Sequence, residues 1–400
     1  MNDVKSQYEA YPYPERNPKD EKKRLIVGSP SHPLEMDHFV FGGKRDWSKP
    51  LKALVAGGGT GDALIQLAQV LTTAKRPYEI TYIDLSTASR KIAEARAKVR
   101  GLKNITFLTG SLLDAPKYGP FDYIDCCGVL HHLPEPQAGF DALSQALAPE
   151  GGLGFMVYAP YGRSGVYPLQ QAFGAALGGL SPTEKLRKAK EMFAALPEGH
   201  PFKCNPHLVD HNQSDAGFYD LLLHSQDRPY LVTELVDTLE KAGLSLSGFT
   251  QPALYDPALL LPKGVVAPTD PVEAMQLAEK LRGTLKLHVG YAVPSASKQS
   301  AQAKRGDMAQ IPHLKGVNAK ALAQQISKTG SLRITVEGAQ QVLTIPKSAA
   351  GVLSLIDGRR SLAEIAKLLK QDQFAFSANW KAATSDLFDY GILLHSRLLK

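Results

Sequence analysis

The sequence is poor in cysteine and has no long apolar run. Only three of its 400 residues are cysteines, and two of these, Cys126 and Cys127, are adjacent in an apolar segment. This spacing suits neither a disulfide framework nor a metal site, so we expect reduced, mostly buried thiols and no bound metal. No apolar run is long enough to cross a bilayer, and residues 1–18 contain no apolar core before a cleavage site. These absences favour a cytoplasmic protein with no membrane insertion.

Most of the chain has no excess of positive charge, because the basic excess lies in the C-terminal quarter. From Pro294 onward there are 15 Lys or Arg against 7 Asp or Glu, whereas the first 293 residues have 31 against 32. A basic excess of this size favours solubility, and it leaves binding to a nucleic acid or an acidic partner open. The length of 400 residues exceeds one ordinary domain, so we expect two or three folded units.

A glycine-rich stretch, LKALVAGGGTGDALIQLA at residues 51–68, organises the chain. Its pattern predicts a short buried strand at Leu54–Ala56, a tight glycine turn, and an amphipathic helix over Asp62–Val70. A helix that starts behind glycines presents unpaired N–H groups and lets a ligand approach the backbone, so we expect an anionic or nucleoside-like ligand. The dinucleotide fingerprint does not fit, because Asp62 or Leu64 stands where its third glycine belongs.

Each of the next three predicted strands ends on, or is followed by, a residue that the crevice at the carboxyl ends of the sheet would bring close to a ligand. Tyr78–Asp84 ends on an acid, and the two oxygens of a carboxylate match the two hydroxyls of a ribose. Asn104–Leu108 is followed by Ser111, and Phe121–Cys127 runs directly into Gly128. In an open parallel sheet the carboxyl ends of such strands form a crevice that binds ligands.

The GGGTG turn followed by an acid, and GVLHHL after the fourth strand, resemble motifs of the class I S-adenosylmethionine-dependent methyltransferases. The resemblance covers residues 8–293 and implies an α/β fold with a doubly wound, seven-stranded, mostly parallel Rossmann-like sheet. It implies S-adenosylmethionine as cofactor, and these cofactor-binding residues: Gly57, Gly58, Gly59, Thr60, Gly61, Asp84, Leu85, Ser111, Leu112 and Gly128. Ser111 stands where the family commonly has an acid that meets adenine, so that contact falls to Ser111 or to Asp114.

Substrate residues are expected after the fifth strand, Leu153–Tyr158, and in an insert at residues 160–232 that is predicted to form a lid. The candidates are Tyr158, Tyr161, Arg163, His211 and Tyr219, whose hydroxyl, guanidinium and imidazole groups would orient an acceptor or else pack. Hydrogen bonding within the lid is favoured over a metal site at Asp210 and His211. No residue is assigned as catalytic, since the cofactor carries its own leaving group.

Four regions are predicted: an N-terminal arm at 1–50, a methyltransferase domain at 51–293, a polar linker at 294–312 and a small domain at 313–400. The arm either packs on the domain or places an aromatic side chain near the ligand. The small domain has a predicted hairpin and helices that resemble a winged helix, specifically the chaperone-like domains that bind leader peptides. Its last predicted helix, Asn379–Tyr390, carries two acids and one lysine, which makes DNA binding unlikely and favours a protein partner or a homodimer.

The sequence thus predicts transfer of a methyl group to a nucleophile. The stretches YPYPERNP and LLLHSQDRPY look like a bacterial subgroup related to outer-membrane-protein lysine methyltransferases, which implies a protein or peptide amine as acceptor, with a small metabolite equally open. Two alternatives remain at this stage: a non-catalytic cofactor-binding scaffold that recruits a partner, and an RNA methyltransferase.

Overall fold

The computed structural model of the protein describes residues 2–298 and 300–400, so Met1 of the predicted arm and Gln299 of the predicted linker lie outside it. The helices of this part are α1 Asn2–Ala10, α2 Pro33–Phe39, α3 Asp62–Thr73, α4 Thr87–Val99, α5 Pro136–Gln145, α6 Val166–Ala176, α7 Pro182–Ala194, α8 Asp215–Leu222, α9 Val232–Lys241, α10 Pro271–Arg282, α11 Ala319–Thr329, α12 Ala350–Ser354, α13 Leu362–Leu368 and α14 Gln373–Asp389. Its strands are β1 Leu51–Ala56, β2 Tyr78–Asp84, β3 Ile105–Thr109, β4 Phe121–Cys127, β5 Leu147–Tyr158, β6 Leu244–Phe249, β7 Leu287–Pro294, β8 Pro312–Leu314, β9 Ser331–Val336, β10 Ala339–Thr344 and β11 Leu393–His395.

Seven strands form one sheet in the order β3-β2-β1-β4-β5-β7-β6. The first five strands pair in parallel, and β7 runs antiparallel to both β5 and β6. The chain adds β2 and β3 on one side of β1 and then returns to add β4 and β5 on the other. This confirms the predicted doubly wound α/β fold and places the reversal of strand order, where ligands bind in such sheets, between β1 and β4.

Apolar side chains cover both faces of this sheet. On one face Leu54 and Ile124 pack with Phe140 of α5 and Leu235 of α9. On the other face residues such as Tyr82 and Tyr123 pack with α2 and α3. Because both faces are buried, β1 has the nearly continuous apolar sequence expected of a central parallel strand.

The insert at residues 160–232 contains α6, α7 and α8. It has an apolar cluster of its own in which Phe173, Phe202 and Phe218 are buried, and Tyr11 of the arm packs against that cluster. Ser181 caps α7, where its side chain accepts a hydrogen bond from the Glu184 N–H. The insert therefore packs as a unit and has the arm as a neighbour.

The C-terminal residues include the predicted hairpin, formed by β9 and β10. Ser361 and Glu364 form a capping box at the start of α13. The C-terminal residues also touch the first part of the chain. The Gly42 N–H donates to the Ala301 carbonyl at 2.7 Å, and Leu394 and Leu398 belong to the same apolar core as β1. The predicted linker thus lies along α2.

A buried ion pair joins the C-terminal residues to the N-terminal arm. Lys315 donates to the buried carboxylate of Glu35, which also accepts hydrogen bonds from the hydroxyls of Ser29, at 2.7 Å, and Tyr291, at 2.9 Å. Only 1% of Glu35 is exposed. The C-terminal part therefore supplies the cation that compensates this buried anion.

Several predicted boundaries are wrong. The fifth strand was predicted at Leu153–Tyr158, but β5 begins at Leu147, which pairs with Phe121, so the preceding helix α5 ends at Gln145. The last helix begins at Gln373, since Asp372 caps it. Helices α10 and α11 were not predicted. None of the helices in the described ranges combines the length and the apolar character that crossing a membrane requires.

Candidate functional site

A cavity of about 700 Å³ lies at the carboxyl ends of the central strands. Eight of the ten predicted cofactor residues line it: Gly57, Gly58, Gly59, Asp84, Leu85, Ser111, Leu112 and Gly128. Side chains from the arm and from the insert complete its wall, among them Tyr8, Tyr13 and Asp220. The cavity therefore brings together the glycine turn and strand ends, the N-terminal arm and the insert.

The glycine turn forms one wall of the cavity without side chains of its own. A Cβ atom at Gly58 would lie 2.3 Å from Cε2 of Tyr82, so no other residue fits there without displacing a buried ring. Gly61 begins α3 with φ at 101°. Thr60 does not line the cavity; its hydroxyl donates to the Pro14 carbonyl at 2.7 Å and so fixes the arm to the turn. The bare backbone fits a ligand that must approach closely.

Asp84 lies at the end of β2, and backbone hydrogen bonds fix the orientation of both its carboxylate oxygens. One oxygen accepts the Gly59 N–H and the other the Ser86 N–H, each at 2.8 Å. Burial raises the pKa of Asp84, and the two backbone hydrogen bonds oppose that rise. Each oxygen keeps a further lone pair, so the carboxylate can accept two hydroxyl donors from a ribose.

At the turn after β3, Ser111 lines the cavity and Asp114 does not. The Ser111 side chain accepts the Leu113 N–H at 3.2 Å, while Asp114 forms an exposed ion pair with Lys117 at 2.6 Å. Of the two residues left open for the adenine contact, the geometry therefore favours Ser111.

Opposite the turn, a buried polar network is formed by the arm and the insert. The Tyr8 hydroxyl donates to a carboxylate oxygen of Asp220 at 2.9 Å, and it lies 3.3 Å from Nε2 of His224. Asp220 forms no salt bridge within the described residues, and burial raises its pKa. The network therefore holds a carboxylate that lacks a cationic partner in a region of low polarity.

His132 joins this network through stacking. Its ring lies 3.7 Å from the ring of His224, and its Nδ1 donates to the Gln226 carbonyl at 2.8 Å, because a carbonyl only accepts. In the neutral ring with its proton on Nδ1, Nε2 of His132 is an acceptor. His131 is buried against Tyr158, with its ring 3.9 Å away, and packs there.

One ring nitrogen each of His132 and His224 and an oxygen of Asp220 lie within 4.8 Å of one another, a spacing that could hold a metal ion. The hydrogen bonds argue against this use. The Gln226 N–H donates to Nδ1 of His224 at 3.1 Å, so in the neutral ring the proton is on Nε2, and that nitrogen has no lone pair for a metal. Burial lowers the pKa of His224 and keeps the ring neutral. The cluster is therefore a hydrogen-bonded network.

Of the five predicted substrate residues, only Tyr158 lines the cavity. Arg163 lies behind it, with its guanidinium 3.6 Å from the centre of the Tyr158 ring and a salt bridge to Asp227 at 3.0 Å. Tyr161 also lies outside the cavity wall. His211 packs between Phe193 and Phe202, and Tyr219 stacks on Tyr11 with ring centres 5.1 Å apart. Arg163 therefore supports the wall from behind, while His211 and Tyr219 already have packing partners outside the cavity.

The sequence reasoning did not single out Asp220 or Asp125, which both line the cavity. Asp220 lies inside the apolar segment FYDLLL, and Asp125 lies in the apolar strand FDYIDCC together with a second acid, Asp122. An acid in such a segment is buried at a cost, which is a recognisable signal. Tyr8 was not identified by the sequence either. The sequence predicts only that the arm packs on the domain or places an aromatic side chain near the ligand.

Comparison with known proteins agrees with this geometry. Residues 54–153 match the family model described as a methyltransferase domain. The matched region contains the glycine turn, Asp84, Ser111 and Gly128.

The relatives are similar over different lengths. An uncharacterized protein of Synechococcus sp. is 31% identical over 266 residues, which cover 64% of this chain and 61% of that protein. A ubiquinone biosynthesis O-methyltransferase of Psychrobacter cryohalolentis is 35% identical over 81 residues, or 20% of this chain and 32% of that protein. The chain thus spans less than two thirds of either relative.

Among solved structures, PKMT2 from Rickettsia typhi aligns with 92% of this chain and 75% of its own, with a TM-score of 0.62 at 15% identity. The same protein in complex with AdoHcy aligns with a TM-score of 0.59 over 91% of this chain. At this identity the likeness concerns the fold, and it extends over both the sheet and the C-terminal part.

Proposed function

We propose that this chain is an S-adenosylmethionine-dependent methyltransferase whose acceptor is an amine of a protein, a peptide or a small metabolite. The observation that carries the proposal is the single cavity, which joins the glycine turn and Asp84 to the buried network of Tyr8, His132 and Asp220. The methyltransferase-domain match over residues 54–153 supports it.

In this proposal the strand ends bind the cofactor. Asp84 accepts hydrogen bonds from the ribose hydroxyls, Ser111 and Leu112 lie against adenine, and Gly57 to Gly59 allow close approach to the backbone. The cofactor supplies an electrophilic methyl group on a sulfonium, so the protein has to hold an acceptor in line and keep water away. The large apolar share of the cavity wall fits the second requirement.

The acceptor class follows from Asp220. A buried carboxylate without a cation of its own attracts a cationic or hydrogen-bond-donating group, and an amine meets both conditions. Burial raises the pKa of Asp220, which makes it a better proton acceptor than an exposed carboxylate. Asp220 would therefore take the proton that the acceptor nitrogen loses, while Tyr8 holds the carboxylate in place.

Calorimetric titration tests the cofactor assignment. S-adenosylmethionine and S-adenosylhomocysteine should bind with micromolar affinity and NAD should not. Asp84→Ala should weaken binding by about tenfold or more, because the ribose loses two acceptors. Asp114→Ala, an acid outside the cavity wall, is the matched control and should bind as the wild type does. Absence of binding to the wild-type chain would overturn the proposal.

Transfer of labelled methyl groups to lysine peptides and small amines, compared with hydroxyl compounds, tests the acceptor. Asp220→Asn should lower kcat about 100-fold and leave the affinity for S-adenosylhomocysteine unchanged. Asp215→Asn, an exposed acid on the same helix, should have no effect. Binding without any transfer would favour the scaffold alternative, and transfer only to hydroxyl compounds would remove the amine assignment.

The proposal keeps the predicted regions and gives 313–400 a role in docking a protein partner or a second copy. Helix α14 supports this role with Asp386 and Asp389 against a single lysine, Lys381, a charge pattern unsuited to DNA. Light scattering on the full chain would report a dimer directly, and a monomer that also binds duplex DNA would contradict the role.

A further inference from the structure

A second cavity, of about 340 Å³, lies in the C-terminal part of the chain. It is enclosed by one side of α14, by Leu362 at the start of α13, and by Arg305, Gly306 and Met308 of the predicted linker. None of the residues that line it also lines the cavity at the strand ends. Small-molecule sites typically occupy about 300–1,000 Å³, so this cavity has room for a single ring with a short side chain.

Most of the wall of this second cavity is apolar and aromatic. The rings of Phe376 and Trp380 stack with their centres 6.1 Å apart, and Phe388 meets the Trp380 ring edge-on at 6.3 Å. All three side chains are buried. Met308 and Leu362 complete the apolar surface. A wall of this kind favours a flat apolar group in the ligand.

The polar groups of the wall on α14 are a cation and hydroxyls. Lys381 is exposed and forms no salt bridge within residues 2–298 and 300–400. Ser377 and Ser385 lie four residues before and after it, so the three side chains follow one line of the helix surface. An ammonium group between two hydroxyl donors matches the anionic end of a ligand.

No acid lines the second cavity. The neighbouring acid Asp307 is outside the wall and pairs with Lys44 at 2.8 Å. Arg305, the other cation of the wall, is already paired with Asp389 at 2.7 Å, and its guanidinium lies over a ring of the wall. The unpaired charge of the site is therefore the positive charge of Lys381.

We propose that this second cavity binds a small apolar carboxylate, with its ring against Phe376 and Trp380 and its carboxylate at Lys381. The site is separate from the cofactor cavity, and the inference does not depend on the proposed function. The Trp380 indole N–H already donates to the Arg305 carbonyl at 2.9 Å, which fixes the linker to α14. A bound ligand adds a further contact at this junction.

Calorimetry with 3-phenylpropionate and its neutral analogue 3-phenylpropionamide tests the proposal. The wild type should bind the carboxylate with a Kd of about 0.1–1 mM, which suits a ligand of this size. The amide should bind about tenfold more weakly, because it loses the charge that Lys381 attracts. Fluorescence gives a second readout, since Trp380 lies in the wall and the other tryptophan, Trp47, lines neither cavity.

Two variants and a control locate the binding. Lys381→Gln should bind both probes as weakly as the wild type binds the amide. Ser385→Leu, at a half-buried position of the wall, fills the cavity and should abolish binding of both probes. Lys367→Gln is the matched control, because Lys367 is an exposed lysine of α13 outside the wall, and it should keep the wild-type affinities.

Equal affinity of the wild type for the two probes, or no binding of either, would overturn the inference, and this comparison requires no variant. Undiminished binding in Ser385→Leu would place the ligand elsewhere and overturn it as well. A tripeptide that ends in phenylalanine presents the same ring and carboxylate. If the wild type bound this peptide more tightly than 3-phenylpropionate, the ligand would be a protein C-terminus, and the assignment of a small molecule would be wrong.

Discussion

Tyr8 donates a hydrogen bond to Asp220 at 2.9 Å although the two residues lie 212 positions apart in the chain. Tyr8 belongs to α1 in the arm and Asp220 to α8 in the insert. The Ser86 hydroxyl in turn donates to the Tyr8 carbonyl at 3.2 Å, directly after strand β2. Both ends of the cavity therefore depend on the position of one N-terminal helix.

Tyr8→Phe should reduce methyl transfer because it removes the donor that orients Asp220 and keeps the ring. We expect a decrease in kcat of about tenfold, with the affinity for S-adenosylhomocysteine unchanged, since one hydrogen bond to a carboxylate is lost. Steady-state kinetics combined with calorimetry would separate the two effects. Tyr118→Phe, a change at an exposed tyrosine, should leave both quantities unaltered. Equal kcat values for Tyr8→Phe and the wild type would argue against this orienting role.

Gly58→Ala should damage the cofactor site through packing. The new methyl group would lie 2.3 Å from the Tyr82 ring, so either the turn or the ring must move. We expect a loss of about 1–3 kcal/mol in the free energy of unfolding, as for other overpacked sites, together with weaker cofactor binding. Chemical denaturation and calorimetry report the two changes.

Gly174→Ala on α6 is the control for Gly58→Ala, because the new methyl group has free space there. Nothing lies within 4 Å of the position its Cβ would take, so the variant should be as stable as the wild type or gain up to about 1 kcal/mol. If Gly58→Ala and Gly174→Ala had the same free energy of unfolding, the close contact predicted at Gly58 would not destabilise the protein.

Asp125 should make stability depend on pH. Burial raises its pKa to about 7, with Ser31 and Tyr123 opposing and the nearby charge of Glu35 adding to the rise. Between about pH 4 and pH 7 the folded protein keeps a proton that the unfolded chain releases, so this group makes stability fall as the pH rises. The slope should be about 1.4 kcal/mol per pH unit, and Asp125→Asn should remove it.

Urea denaturation of the wild type and the variant across this pH range would measure the difference in slope. The groups that face Asp125 are Tyr123 and Cys127 on its own strand and Glu35 on α2, and they are the same in both proteins. Asp122→Asn should keep the wild-type slope. Parallel profiles for the wild type and Asp125→Asn would show that Asp125 titrates in the same range in both states.

The sheet and the glycine turn could be predicted because their signals are local. Apolar strands, a glycine cluster and Asp84 follow one another within a short stretch. The apolar runs predict strands, and the glycines predict a tight turn between a strand and a helix. The capping box at Ser361 and the side-chain cap at Ser181 were predictable for the same reason. The end of the helix before β5 was not, because the pairing of Leu147 with Phe121 competes with its helical propensity.

The side of the cavity formed by the arm and the insert could not be predicted because it is assembled from distant segments. Arg163 looks like a substrate residue in the sequence, but its pairing with Asp227 and stacking on Tyr158 are visible only in three dimensions. Asp220 and Tyr8 come together through the packing of the arm on the insert, and no local pattern encodes that contact.

The pairing of Lys315 with Glu35 gives the C-terminal part a share in the cofactor site. Glu35 also accepts the Ser29 hydroxyl, and Ser29 lines the cavity. A chain cut before Lys315 would leave a buried anion at that wall without its counter-ion, at a cost of several kcal/mol. Moving the C-terminal part onto another protein, or exchanging it for an unrelated domain, would therefore also alter the part of the chain that forms the cavity, so we expect the two parts to change together.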